Sequence, residues 1–288
     1  MSEVLSFINR VIFHAEGIQA CRSKVGRGRR LIDMTGVSLS RSVSAGETIA
    51  SAPPLAAWPG RKFPGRLDRS CNHCFRSNKL GPCSACTDDP ELYTILKDSH
   101  TSIVRLRDSS ASGPFDGLLT KLAYRACIEK RRGYQNTSVV LGTLARPTVT
   151  DEDREEFAEE TSELQSKLYS IDVKEATQII NADWYTNTLG ACCLNAIEIP
   201  NVPGAIALYD WPSYINHSCE PNVECKFTGM VLNVVALKDM SEDEELLLDY
   251  TKLRAFHSSN FDDAQNFLRE EYGFDCSETC TCGRITYN

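Results

Sequence analysis

Hydrophobic positions along the chain follow two different periods. In residues 116–190 they recur at helical spacing, beginning with a group near the start of this segment: Leu118, Leu119, Leu122, Ala123 and Ala126. In residues 191–250 they form short apolar runs separated by proline, glycine or acidic turns, which is typical of β-strands. The pattern therefore predicts a helical segment followed by small sheets.

Two further segments extend this prediction. Residues 22–52 have the character of short strands joined by tight turns, with glycines placed as turn residues: Gly26, Gly28, Gly36 and Gly46. Residues 260–272 predict one short helix. The dense acidic run 151–163 predicts a solvated helix face without a ligand role.

Composition limits the classes of protein that the chain can represent. Its 288 residues exceed a small single domain, and 42% hydrophobic with 24% charged residues exclude wholesale disorder and fibrous architectures. No stretch approaches the ~20 apolar residues of a membrane span. Polar residues interrupt the first apolar run at Glu3, Asn9 and Arg10, so we expect a soluble intracellular protein with no membrane partner.

Charge is distributed unevenly around the net value of −8. Residues 1–80 contain thirteen Lys/Arg against five Asp/Glu, and the rest of the chain carries the acidic excess. The basic segment fits an acidic partner, nucleic acid, or a solvated surface with no particular partner. Aromatic residues are sparse among the basic ones, which makes nucleic acid the weakest of these interpretations.

The 13 cysteines are clustered, which in a reducing compartment favours metal binding over disulfides. Two C-x2-C pairs, Cys71 with Cys74 and Cys83 with Cys86, predict a closed four-cysteine zinc site of the structural kind. The alternative is a redox pair, but no βαβ pattern surrounds it.

A second cysteine cluster lies in the tail and supplies three thiolates: Cys276, Cys280 and Cys282. A fourth zinc ligand must come from elsewhere in the chain, and Cys219 is a candidate. The remaining cysteines are interpreted as small buried apolar residues: Cys21, Cys127, Cys192, Cys193 and Cys225.

Three motifs follow in a fixed order toward the end of the chain. Residues 214–222 read Y-I-N-H-S-C-E-P-N, residues 244–250 read E-E-L-L-L-D-Y, and Y-G-F at 272–274 precedes the cysteine tail. This series resembles the SET-domain protein lysine methyltransferases, and its order is similar to the SET and MYND-domain (SMYD) subfamily. G-R-G-R-R-L at 26–31 and G-E-T-I-A-S-A-P-P-L at 46–55 resemble the opening elements of that subfamily.

The resemblance implies an α+β architecture: a SET-domain fold of small β-sheets with a threaded C-terminal segment, an inserted zinc module, a helical insert and a post-SET zinc cluster. The implied segments are the N-terminal part of the SET domain (1–70), a half-MYND zinc module (71–114), the helical insert (115–190), the catalytic core (191–250) and the post-SET zinc segment (251–288). The MYND module is a half because no cysteine lies between Cys86 and Cys127, so one zinc is expected there, with His73 and His100 as further candidate ligands.

The resemblance also implies methyl transfer from S-adenosylmethionine to the ε-amine of a lysine in a histone or non-histone protein. Tyr250 takes the place of the family's catalytic hydroxyl. The matching positions for cofactor binding are Gly26, Arg27, Asn195, Asn216, His217, Tyr272 and Phe274. Arg27 would meet the carboxylate of the cofactor, Asn216 its ammonium and Phe274 its adenine. Two structural zinc ions are expected, one in each cysteine cluster.

Two departures from the family pattern support an alternative. Asp243 stands where the family has glycine before E-E-L, and Ile197 replaces an aromatic residue. Together with the half-MYND module, they leave open a catalytically inactive SET and zinc module that binds proteins. Residence in the cytoplasm, the nucleus or both fits the family.

Overall fold

The computed structural model describes residues 16–23, 35–58, 114–131, 133, 135–144, 151–170, 173–200, 205–253 and 261–274. Within these ranges the chain forms short strands at both ends of the sequence and a run of helices between them. The strands are β1 (Ile18–Arg22), β2 (Thr35–Leu39), β3 (Thr48–Ala52), β4 (Ala56–Trp58), β5 (Ile197–Glu198), β6 (Ile206–Leu208), β7 (Asn216–His217), β8 (Val223–Thr228), β9 (Val231–Ala236) and β10 (Leu247–Leu248).

The described helices fall mainly between β4 and β5. They are α1 (Pro114–Arg131), α2 (Asn136–Thr143), α3 (Asp151–Tyr169), α4 (Ala176–Ile179), α5 (Ala182–Asn195), α6 (Tyr250–Leu253) and α7 (Phe261–Phe267). A 3₁₀ turn (Trp211–Tyr214) precedes β7, and a π-helical turn (Leu268–Tyr272) continues α7. The helix expected at residues 260–272 is therefore present as an α-helix that ends in a π turn.

Four small sheets join strands that are distant in sequence. Strands β1 and β2 form an antiparallel pair, β9 lies between β3 and β8, β6 lies between β4 and β5, and β7 pairs with β10. Only the β7–β10 pair is parallel among the paired strands that the structure describes. Two of the sheets, β3–β9–β8 and β4–β6–β5, thus join residues before position 59 to residues after position 196. The β7–β10 pair joins the two later motifs to each other.

Helix α1 packs its predicted apolar stripe into the main hydrophobic core. All of the apolar positions that the helical period picked out in residues 118–126 are buried. The same core contains the inner faces of the sheets and the 3₁₀ turn. On α3 the acidic side chains that the structure describes are exposed, as predicted for a solvated face: Asp151, Glu155, Glu159, Glu160 and Glu163.

A buried ion pair joins α1 to α2 and β4. Glu129 is 2% exposed and accepts hydrogen bonds from the Thr137 backbone N (2.7 Å), the Thr137 hydroxyl (2.9 Å) and Arg125 Nε (2.8 Å). Arg125 also donates from Nη1 to the Leu55 carbonyl oxygen at 2.7 Å. Every member of the group has partners, as burial of charge requires.

Two expectations from the sequence were wrong in detail. Gly36 is not a turn residue but lies inside β2, where it pairs with Cys21 of β1. Of the cysteines expected to be buried, Cys193 is exposed on α5 whereas its neighbour Cys192 is buried, and Cys21 and Cys225 are only partly buried. Adjacent helical positions point about 100° apart, so both thiols cannot face the same core. None of the helices that the structure describes is long and apolar enough to cross a membrane.

Candidate active site at the crossing of two short strands

The two motifs that carry the family resemblance meet in the parallel pair β7–β10. Asn216 lies opposite Leu247, and His217 lies opposite Leu248. Beyond the pair, the Ser218 backbone N donates to the Leu248 carbonyl oxygen at 2.8 Å. The N-H-S-C segment thus packs against the strand that precedes Tyr250.

Asn222, the last residue of the N-H-S-C-E-P-N motif, holds this crossing together. Its side-chain oxygen accepts from the Leu247 backbone N, and its Nδ2 donates to the Glu245 carbonyl oxygen, both at 2.8 Å. The side chain is 4% exposed. Asn222 was not among the predicted site residues, although its place in the motif was a usable signal.

Tyr250 begins α6 directly after β10 and is held at both ends. Its backbone N donates to His217 Nδ1 at 3.1 Å, and its hydroxyl donates to the Ile215 carbonyl oxygen at 2.7 Å. Asp249 caps the turn by accepting from the Thr251 backbone N and hydroxyl. The Tyr250 side chain is half-buried, so the ring is fixed in position while one side stays accessible.

Aromatic rings surround Tyr250. The ring centroid of Tyr250 lies 4.7 Å from that of Tyr272, 5.2 Å from His217 and 6.4 Å from Phe274. Phe274 also lies 5.8 Å from His217. The structure thus brings together the predicted catalytic tyrosine and three of the residues predicted to bind the cofactor, in an edge-and-face cluster.

His217 also connects this cluster to a predicted zinc ligand. Because its Nδ1 accepts from Tyr250, the proton of the neutral imidazole lies on Nε2, 3.3 Å from Cys219 Sγ. The other predicted zinc ligands, in 71–86 and 276–282, lie outside the described residues. Among the residues that the structure describes, no group of three or more metal-binding side chains is assembled.

Asn216 is buried beside this cluster with its amide orientation fixed. Its Nδ2 donates to Glu245 Oε1 at 3.1 Å and to the Thr35 carbonyl oxygen at 3.3 Å. Both acceptors require the NH₂ group, so the amide oxygen is the atom that remains to accept a hydrogen bond. Neither Glu245 nor Thr35 was among the predicted site residues.

The remaining predicted cofactor residues are placed differently. Asn195 is the last residue of α5, and its Nδ2 donates to the Ala191 carbonyl oxygen at 2.8 Å. Gly26 and Arg27 lie outside the described residues. The roles of these residues toward a cofactor stay predictions.

Two departures from the family pattern are accommodated locally. Asp243 has φ = 65°, the left-handed region that a glycine would adopt at no cost. Its carboxylate accepts from Gln19 Nε2 at 2.7 Å. Ile197 lies in β5 and is 5% exposed, so it fills the core.

Two thiols in this part of the molecule have raised pKa values: Cys192, which is buried, and Cys225, which is partly buried. Burial raises the pKa of Cys225 to about 12, with a smaller contribution from the Glu224 carboxylate. Burial likewise raises the pKa of Cys192 and that of the Tyr209 hydroxyl. These groups stay protonated at neutral pH, which supports the prediction that Cys192 is a small apolar residue.

Comparison with known proteins connects this geometry to a family. ASHR1 of Arabidopsis thaliana, named a histone-lysine N-methyltransferase, is 22% identical over 255 residues, covering 82% of this chain and 50% of that protein. SMYD2-B of Danio rerio, named an N-lysine methyltransferase, is 23% identical over 282 residues, covering 93% of this chain and 61% of that protein. The chain thus spans about half to three-fifths of the length of these relatives.

The fold has solved counterparts. A crystal structure of the SET domain of LSMT, bound to lysine and AdoHcy, superposes with a TM-score of 0.50 at 13% identity, covering 96% of this chain and 58% of that one. This likeness supports the fold alone. The family model described as SET domain matches residues 35–251, which include β2 to β10 and Tyr250. The chain belongs to the SET-domain family, and its relatives include a SMYD protein, as the order of its motifs predicts.

Proposed function

We propose that this protein is a protein-lysine N-methyltransferase that uses S-adenosylmethionine. The observation that carries the proposal is the position of Tyr250: its hydroxyl is tied to the Ile215 carbonyl and its ring lies among His217, Tyr272 and Phe274. The names of the relatives, a histone-lysine and an N-lysine methyltransferase, support the same reaction class.

The residues around Tyr250 fit the cofactor. Asn216 keeps its amide oxygen for an ammonium because both bonds of its NH₂ group go to protein acceptors. Tyr272 and Phe274 offer aromatic faces for an adenine. S-adenosylmethionine supplies an electrophilic methyl group on a sulfonium. Arg27 and Gly26 are proposed for its methionine end, and Asn195 is a further candidate.

The substrate lysine must lose its proton before it can attack a methyl group. A free lysine has a pKa of about 10.4, and a desolvated site next to the positive sulfonium disfavours the ammonium form. The Tyr250 hydroxyl donates a hydrogen bond to the Ile215 carbonyl oxygen, which fixes the position of the phenol oxygen that would orient the incoming amine. Positioning of this kind supplies much of the rate in a displacement that needs no protein nucleophile.

The finer parts of the proposal concern partners. The substrate is a lysine-containing segment of a histone or another protein, in the cytoplasm, the nucleus or both. Two zinc ions support the structure: one held by the half-MYND cysteines, and one held by Cys219 with the tail cysteines near Phe274.

The test is methyl transfer by the purified protein. The protein is incubated with methyl-labelled S-adenosylmethionine and a cell lysate, beside Tyr250→Phe. Loss of the hydroxyl should lower the rate about 100-fold or more while cofactor affinity is kept, because only the orientation of the reacting groups is lost. Label is read as discrete protein bands, and cofactor affinity by calorimetry.

Tyr209→Phe is the matched control. The Tyr209 hydroxyl also donates to a backbone carbonyl, that of Met230 at 2.6 Å, but it lies in the core. This variant should lose about 1 kcal/mol of stability and keep its activity. Equal activity of Tyr250→Phe and wild type would contradict the assignment of Tyr250. Absence of cofactor binding by the wild-type protein would instead favour the inactive binding module.

A further inference from the structure

Glu245 lies in the middle of the E-E-L motif and points its carboxylate at Asn216. Its Oε1 accepts from Asn216 Nδ2 at 3.1 Å. Asn216 is 7% exposed and Glu245 is half-buried, so this hydrogen bond to a charged acceptor is largely shielded from water.

The carboxylate occupies space that only a glycine leaves open. A Cβ added to Gly36 would lie 2.5 Å from Glu245 Oε1 and 3.0 Å from Asn216 Nδ2. Both distances are shorter than an ordinary van der Waals contact. The Glu245 carboxylate therefore packs against the α-carbon of Gly36 in β2, where a larger residue would have no room. This contact explains why a glycine lies inside this strand and not in a turn.

The backbone around Glu245 is fixed from two sides. Glu245 forms an isolated bridge with Ser38 of β2, and the Leu246 backbone N donates to the Val37 carbonyl oxygen at 2.7 Å. On the other side Asn222 Nδ2 holds the Glu245 carbonyl oxygen. These backbone contacts restrict the positions that the Glu245 side chain can adopt.

We propose that Glu245 is a positioning residue for cofactor binding: its carboxylate, seated over Gly36, fixes the Asn216 amide so that the amide oxygen is the atom presented to the ammonium of S-adenosylmethionine. Without the Glu245 carboxylate, the Thr35 carbonyl is the one remaining acceptor among the described residues that holds the NH₂ group of Asn216 in this orientation. A rotated amide would present NH₂ to a cation. The inference rests on the proposed use of this cofactor.

The experiment measures affinity for two ligands that differ at the ammonium. S-adenosylmethionine contains it, whereas 5′-deoxy-5′-methylthioadenosine keeps the adenine, ribose and sulfur but lacks the amino-acid end. Dissociation constants are measured by calorimetry for the first ligand and by saturation-transfer NMR at millimolar concentration for the second. The proteins are wild type, Glu245→Ala, Glu245→Gln and Glu224→Ala.

Glu245→Ala should weaken S-adenosylmethionine binding about tenfold, which corresponds to the loss of one charge-assisted hydrogen bond, and leave methylthioadenosine binding within twofold. Glu245→Gln keeps the shape and one acceptor oxygen, so it should recover part of the loss. Glu224→Ala is the matched control, since its carboxylate pairs with the exposed Lys226 on β8 at 2.8 Å and should affect neither ligand.

Equal weakening of both ligands, or none, would overturn the inference. If Glu245→Ala fails to fold, Glu245→Gln and Gly36→Ala carry the test, since both should shift only the first ligand. Failure of wild-type protein to bind S-adenosylmethionine would contradict the proposed function itself, a result distinct from an unchanged Glu245 variant.

Discussion

At the scale of single residues, Asp243 shows how the chain tolerates a departure from its family. A non-glycine residue in the left-handed region costs about 1 kcal/mol, less for aspartate than for most side chains. The Asp243 carboxylate accepts from Gln19 Nε2, and its backbone N donates to the Leu39 carbonyl oxygen at 3.0 Å. Asp243 thus adopts a backbone conformation that favours glycine, and two hydrogen bonds hold it there.

Asp243→Gly should raise the free energy of unfolding by about 0.5–1 kcal/mol, because relief of the strained φ exceeds the loss of one exposed hydrogen bond. Urea denaturation monitored by circular dichroism measures the change. Glu242→Gly, at the neighbouring turn position where φ is not positive, should lower the same quantity through chain entropy. A lower stability for Asp243→Gly would mean that the Gln19 contact outweighs the strain.

Buried thiols make the protein less stable at alkaline pH. Burial raises the pKa of Cys127 from 9.0 to about 12, with a further contribution from the Glu175 carboxylate. The unfolded chain therefore releases this proton near pH 9, well before the folded protein does. Stability from the protonated thiol is complete below pH 9 and declines as the pH rises toward 12.

Each such thiol should lower the free energy of unfolding by up to about 1.4 kcal/mol per pH unit above pH 9. The urea midpoint is measured from pH 7 to pH 10.5 in wild type and in Cys127→Val. The variant should show a shallower decline, because one titrating group is removed with little change in volume. Parallel curves would mean that Cys127 ionises equally in both states.

At the scale of elements, α1 contains one buried and one exposed ion pair that differ in their surroundings. Glu129 lies among Arg125 and Thr137 without access to water. One turn further on, Arg131 pairs with Glu175 through two hydrogen bonds at 2.9 and 2.7 Å, with side chains 45% and 29% exposed. The two Arg–Glu ion pairs should therefore contribute differently to the free energy of unfolding.

Glu129→Ala should lower the free energy of unfolding by about 3–5 kcal/mol, because it leaves the Arg125 charge buried and removes the cap of α2. Glu175→Gln should lower it by at most about 1 kcal/mol, since water screens the exposed pair. Both values come from urea denaturation of the full chain. Equal effects would show that solvent reaches Glu129.

The secondary structure was more predictable from sequence than the side-chain contacts. The apolar period in 118–126 identifies α1 because burial of one face is a local property of the sequence. The seat of Glu245 over Gly36 joins residues more than 200 positions apart, and no local pattern encodes it. The exposure of Cys193 beside a buried Cys192 was missed because residue type was read without helical geometry.

At the scale of the whole molecule, the candidate site depends on segments that meet only in the folded chain. Resemblance to a known family predicts one site for Asn216, His217, Tyr250, Tyr272 and Phe274. The structure brings the rings of the last four together, and Asn216 precedes His217 in β7. The spacing of these residues along the chain could not predict that they meet, because the motifs lie in separate strands and turns. Asn222 and Glu245 were missed because their partners are mostly backbone groups or one buried amide.

The two cysteine clusters predict that the protein binds two zinc ions. Native mass spectrometry should give a mass increment of two zincs for wild type, and of one for Cys74→Ser and for Cys280→Ser. Removal of the second ion should also weaken cofactor binding, because Cys219 lies beside His217 and the tail follows Phe274 directly. A wild-type protein with one ion or none would contradict the ligand assignment.

The pairing of β3 with β9 has a consequence for folding during synthesis. Thr48 lies opposite Val235 in this sheet. At about 5–20 residues per second, a ribosome needs roughly ten to forty seconds to reach β9 after completing β3. Throughout that interval the β3 segment has no β9 to pair with, while the segments of α1 to α5 emerge from the ribosome. We therefore expect the yield of active protein to depend on synthesis speed and chaperone supply as well as on its final stability.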